Sequence, residues 1–180
     1  MEKVHPFGDG LSIFSDSFLF MNRPSLCEDR KGPTMIWIQP PYEWDKVSII
    51  SVEKRVEKQA RYVRQNGSEH FAIIDFIIEP YEGSSICFEN EALIQDDLKG
   101  NKEWERLFPI LVINIYEGLN MFIENQYNEK NRAIGNFKFK LVSLAIHPLD
   151  SKFMDFKIAT YIGLRDIFDP IESDKYRVKA

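Results

Sequence analysis

The sequence predicts an α+β domain: a four-stranded, mostly antiparallel sheet with two helices on one face, over residues 46–170. An N-terminal extension (residues 1–45) precedes it and a polar tail (residues 171–180) follows. Three observations predict this class. Phe71–Ile78 is apolar at both odd and even positions, as a strand with neighbours on both sides must be. Phe108, Leu111, Val112, Ile115, Leu119, Phe122 and Ile123 recur at the spacing of one helical face. Phe137, Phe139 and Leu141 alternate with Lys138 and Lys140, the period of a half-buried strand.

The elements follow in order. In residues 1–45, glycines and prolines cut the chain into short pieces, of which Leu11–Met21 and Met35–Gln39 are apolar enough for strands. The aromatic residues Phe18, Phe20, Trp37 and Trp44 need cover, either from the sheet or from a second copy of the chain. Pro40-Pro41-Tyr42 has the form of a proline-rich recognition motif, and reads better as a turn beside an aromatic cluster. Val47–Val52 is a strand by its β-branched content, and the charged run up to Arg64 continues as a solvated strand. Asn66-Gly67 turns the chain into Phe71–Ile78. A turn at Gly83-Ser84 returns it as a short strand, Ile86–Phe88. An acidic loop leads to a helix from about Glu105 to Gln126, with Pro109 in its first turn. The strand Phe137–Ala145 follows. Asp150 or Ser151 then caps a second helix, reaching about Ile167, with a stripe of Met154, Ile158, Tyr161, Ile162 and Arg165.

Composition narrows the function. A chain of 180 residues with 44% apolar and 13% aromatic content builds a sizeable core. A net charge of −5 argues against a general polyanion binder, so an RNA contact needs a local basic face. Cys27 and Cys87 stand in unlike contexts and suggest neither a disulfide framework nor a metal site. No apolar run reads as a membrane span and the N-terminus lacks a signal-peptide layout, so a cytoplasmic location is expected. No Gly-x-x-x-x-Gly-Lys-Ser/Thr loop occurs, and the three histidines have no nucleophile in a familiar arrangement. The expectation is a non-enzyme with no cofactor, nucleotide or membrane partner.

Three segments in register carry a family resemblance: Val63-Arg64-Gln65-Asn66-Gly67; Glu79-Pro80 followed by Gly83-Ser84, Phe88 and Asn90; and Asp150-Ser151 with Met154 and Phe156-Lys157-Ile158-Ala159. Over about Val47 to Phe168 the chain resembles domain IV of translation elongation factor G, the arm that enters the ribosomal decoding site, here without its GTPase. The resemblance implies a left-handed crossover between strands, whereas chain physics alone favours the right-handed one. It also implies two tip loops that face RNA. The first corresponds to Gly67-Ser68-Glu69-His70, shorter than in the family and carrying an acid. The second corresponds to Ile146-His147-Pro148-Leu149, also shortened, with His147 close to a tip histidine of the family.

The RNA-binding candidates are Arg61, Arg64, Gln65, His70, Lys138, Lys140 and His147. The histidines would stack or hydrogen-bond. The cations, with Lys54, Arg55, Lys58, Lys130 and Arg132, would make a stripe along a phosphate backbone. Interleaved Glu53, Glu57, Glu124 and Glu129 favour the plainer reading of a solvated charged face. Three functions follow: a module binding the ribosome or structured RNA; a protein-interaction module that kept the fold and lost the RNA-contacting tips; and, disfavoured by the lack of a phosphate-cradling glycine loop, an enzyme on the same fold, which some small-molecule kinases also use.

Overall fold

The structure is a computed structural model, and it describes residues 34–43, 46–64, 69–82 and 85–169. The expectations for Leu11–Met21, Phe18, Phe20, Cys27, Trp44, the Asn66-Gly67 and Gly83-Ser84 turns and the tail lie outside the described residues.

The strands are β1 (Thr34–Ile38), β2 (Ile49–Ile50), β3 (Val56–Arg64), β4 (His70–Pro80), β5 (Ile86–Asn90), β6 (Ala133–Ile134) and β7 (Phe137–Ala145); the helices are α1 (Lys102–Lys130) and α2 (Phe153–Phe168). The fold is α+β, with a mixed sheet of five strands in the order β1-β5-β7-β4-β3. β5 and β7 run parallel; the other three pairings are antiparallel. The expectation of four strands is therefore corrected. Thr34–Ile38 joins the sheet, aligning Ile36 with Phe88. The strand expected over Val47–Val52 shrinks to Ile49–Ile50, which pairs in parallel with β6 outside the main sheet.

Cross-strand partners share a face, which sorts the sheet into two sides. Ala60, Phe76, Phe139 and Phe88 lie on one. The ring of Phe139 stacks on Phe76 at 4.6 Å and on Phe88 at 5.6 Å between centroids. Phe88 meets Tyr116 of α1 edge-on, and Gly163 of α2 abuts Phe76, so both helices cover this face. The opposite, open face carries Met35, Trp37, Glu89, Lys138, Lys140, Ile77, Asp75 and Arg61. The central position of β4 and the alternation of β7 are as expected from their apolar patterns. Phe76, Ile78, Leu111, Ile115, Phe122, Phe139 and Phe156 share one core; Ile162, expected with them, is half-buried and outside it.

α1 is longer than its apolar stripe. Asn101 caps it by accepting from the amides of Glu103 and Trp104, which satisfies two of the first-turn donors. Asn131 ends it in the left-handed conformation at φ 51°. Pro109 therefore lies inside the helix, two turns in, rather than in its first turn. By length and composition α1 could cross a membrane, yet its apolar face forms the core of this fold.

α2 departs most from expectation. Its N-cap is Lys152, not Asp150 or Ser151. The Lys152 amide donates to the Asp155 carboxylate, while the Asp155 amide donates to the Lys152 carbonyl. Its buried face is Asp155, Phe156, Ala159, Thr160, Gly163 and Leu164, and Met154 of the expected stripe is exposed. Small residues set that face. A Cβ on Gly163 would stand 2.7 Å from the Ala60 Cβ and 2.8 Å from the Phe76 ring. On the facing helix, a Cβ on Gly118 would stand 2.5 Å from the Lys157 carbonyl oxygen. Gly118→Ala gains under ~1 kcal/mol of helix propensity, but it forces the two helices apart. A net loss of about 1–3 kcal/mol is expected in urea unfolding. An unchanged or raised stability would show that the helices are not in this contact.

Candidate nucleic-acid interface at one end of the sheet

Arg64 ends β3 and His70 opens β4, and the two are Cα partners across the hairpin. β7 finishes at the same end, and its continuation through His147 leads into α2. Backbone and side-chain bonds lock these pieces together. The Phe71 amide donates to the Asp150 carbonyl at 3.2 Å, and Ser151 Oγ donates to the Phe71 carbonyl at 2.7 Å. The His147 amide donates to Ser151 Oγ, and the Ile146 amide to Gln95 Oε1.

Each tip histidine is tied to a carboxylate. His70 lies on the helix side of the sheet, where its Nδ1 is 2.7 Å from Oδ1 of the buried Asp155. A carboxylate only accepts, so Nδ1 carries the proton and donates. The His70 ring also meets Tyr62 at 5.6 Å, and the Arg64 guanidinium lies over that tyrosine at 5.4 Å. His147 lies toward the open side, its ring 5.8 Å from Phe71 and its Nδ1 2.7 Å from Asp150. Glu69 also bonds to Asp150. That shared hydrogen bond, with Asp150's charge, pushes the Glu69 carboxyl above its ordinary range, and the nearby His147 pulls partly against it.

The structure thus places Arg64, His70 and His147 at one end of the sheet, Arg64 and His70 on the helix side and His147 toward the open side, while Gln65 lies outside the described residues. Lys138 and Lys140 are elsewhere. They lie on the open face, and Lys138 is seven residues from the end of β7, roughly 20 Å at the strand rise. Both face the buried Glu89, at 3.4 and 3.7 Å, and Lys140 also reaches Glu91 at 3.1 Å. The hydrogen bond it donates to Glu91 holds the Lys140 ammonium above its usual range; burial opposes this, and the charges of Glu89, Glu91 and Glu79 add to it. Arg61 is on the open face too, donating to Gln59, which donates to Asp75, which accepts from Ser143. The other cations of the expected stripe are scattered: Lys58 pairs with Asp166, Arg55 with Glu57 and Glu79, and Lys130 and Arg132 with Asp169. No continuous basic stripe forms among the described residues.

Tyr62 and Asp155 are the tip residues that sequence reasoning misses, while Glu69 and Asp150 are legible only as a loop acid and a helix cap. His70 and Asp155 are 85 positions apart, so only the topology joins them. The one local signal is the spacing of His147 and Asp150, three residues apart.

No family model and no curated protein matches this chain. Among solved structures it is similar to a crystal structure of a Thermus thermophilus protein, with a TM-score of 0.48 and 19% identity, over 64% of this chain. The match spans 16% of that chain's length.

Proposed function

We propose that this chain is a non-catalytic module, similar to elongation factor G domain IV, that binds the ribosome or structured RNA in a translation-related role. The contact surface in this reading is the sheet end bearing Arg64, His70 and His147. The observation that supports it most is that these three residues, with Tyr62, reach one end of the sheet from two segments far apart in sequence. Arg64 over Tyr62 offers a cation beside an aromatic face, and His147 offers an Nε2 with no partner among the described residues. The left-handed crossover belongs to the same reading.

Ribosome co-sedimentation across a salt series tests this. Binding should weaken steeply as salt rises. Arg64→Ala should flatten the logarithmic salt slope by about one, as for one lost phosphate contact. His147→Ala should lower affinity and change the slope less than Arg64→Ala does, because the His147 ring is paired with Asp150 and would contribute by stacking or hydrogen bonding. Lys140→Ala should change neither, since Lys140 is held by Glu91 away from this end. No association even at low salt would end the RNA reading.

A second reading, the protein-interaction module, is favoured by one feature of the same end. Leu149 is 89% exposed, and Met154 and Phe153 beside it are also exposed. Together with Glu69 and Asp150, they suit a protein surface better than a phosphate backbone. Loss of a protein partner on Leu149→Asp, with no ribosome binding to lose, would favour it.

A further inference from the structure

The two edges of the sheet are built differently. β3 forms one edge and carries Glu57, Lys58, Arg61 and Arg64, charges of the kind that protect an edge from pairing with another chain. β1 forms the other edge and reads Thr-Met-Ile-Trp-Ile, without a charge. Among the described residues β1 pairs with β5 alone. On the open face next to this edge, Met35 is 51% and Trp37 53% exposed, with Trp37 resting against Tyr81 at 5.6 Å.

We propose that the outer edge of β1 pairs with the same edge of a second copy of this chain. The pairing is antiparallel about a twofold axis at Ile36 and joins the two five-stranded sheets into one. The sequence of β1 is self-complementary in that register. Ile36 meets Ile36, Thr34 meets Ile38, and each exposed Met35 meets the exposed Trp37 of the other copy. The Met–Trp pairs are sulfur–aromatic contacts on one face, and no charges oppose each other. A symmetric contact of this kind closes on itself and stops at a dimer.

The test is sedimentation velocity on the full chain from micromolar to several hundred micromolar, with wild type and two double variants. Wild type should shift from monomer to dimer as concentration rises. Met35→Lys with Trp37→Lys sets like charges opposite each other across the axis. Its dimer dissociation constant should rise by at least about tenfold, as expected for several unfavourable cross-strand pairs. Met35→Lys with Trp37→Glu sets opposite charges there and should dimerise measurably better than the double lysine variant. Unfolding curves of all three check that the fold is intact. A wild type that stays monomeric throughout overturns the proposal, including the case in which the chain's own residues 1–33 take the edge. A dimer equally weakened in both variants, or in neither, overturns this register.

Discussion

Replacing Phe122 by alanine is expected to cost about 3–5 kcal/mol of unfolding free energy, the range for truncating a fully buried aromatic side chain. Phe122 is completely inaccessible. Its ring meets Tyr161 of α2 edge-on at 5.8 Å and Phe168 at 5.5 Å, so it joins the two helices in their C-terminal halves. Phe168 in turn meets Phe137 at the start of β7, which couples this helix contact to the sheet. The site has little means of collapse, because Gly118 and Gly163 already hold α1, α2 and the sheet at closest approach. Phe156→Ala, on the same buried layer, should fall in the same range. Urea unfolding at neutral pH measures both. Losses under about 1 kcal/mol at both sites would show that neither helix face is the one described.

Much of this arrangement is legible in the sequence, wherever a local period carries it. β4 is apolar at consecutive positions, burying Ala72, Ile74, Phe76 and Ile78 on the helix face and half-burying Phe71, Ile73 and Ile77 on the other, and β7 alternates because one of its faces meets the helices. α1 shows its buried stripe plainly. Legibility fails where packing is decided by what is small. A stripe drawn through the larger side chains of α2 selects Met154 and Ile158, yet the contact is made by Ala159, Thr160 and Gly163, which permit close approach and give no hydrophobic signal. β1 reads as part of a preceding extension, because five residues between glycines and prolines do not show which strand they join. Its partner β5 is nearly fifty residues away.

The candidate site divides on similar lines. His70, His147 and Arg64 are visible from the sequence as tip residues, since they flank the turn and the loop that end the strands. The carboxylate partner of His70 is not, because Asp155 reaches His70 only once α2 is laid along the sheet. The surroundings of Lys138 and Lys140 are hidden for the same reason. Their alternation places them correctly on the open face, but the charges of Glu89 and Glu91 arrive through the parallel pairing of β5 with β7, which no local pattern shows. A stripe counted from cations alone overlooks acids from the neighbouring strand.

Asp169→Asn is expected to destabilise the protein at neutral pH by about 2–4 kcal/mol, and the loss should shrink in acid. Asp169 follows α2 directly, and its side chain is buried. It accepts from Gln126 Nε2 and Lys130 Nζ, each at 2.8 Å, and from Arg132, whose other guanidinium nitrogen reaches the Phe168 carbonyl. These bonds fasten the end of α2 to the end of α1. Removing the charge leaves two cations facing a neutral amide, the costly way to break a buried pair. The expected loss lies toward the low end of that range because the lysine and arginine keep 26% and 29% of their side-chain exposure. Burial by itself would raise the Asp169 carboxyl. Hydrogen bonds from Lys130, Arg132 and Gln126, aided by the charge of Arg132, outweigh it and hold the group below the usual carboxylate range. A depressed folded value means that the unfolded chain takes up the proton first. The stabilisation is therefore complete above the unfolded value, near ~3.9, and is lost as pH falls through the folded one. Urea unfolding of wild type and Asp169→Asn should show their widest separation at about pH 6–7 and convergence below about pH 4. A difference that stays constant down to about pH 3 would mean that the carboxylate's charge does not hold the helix ends together.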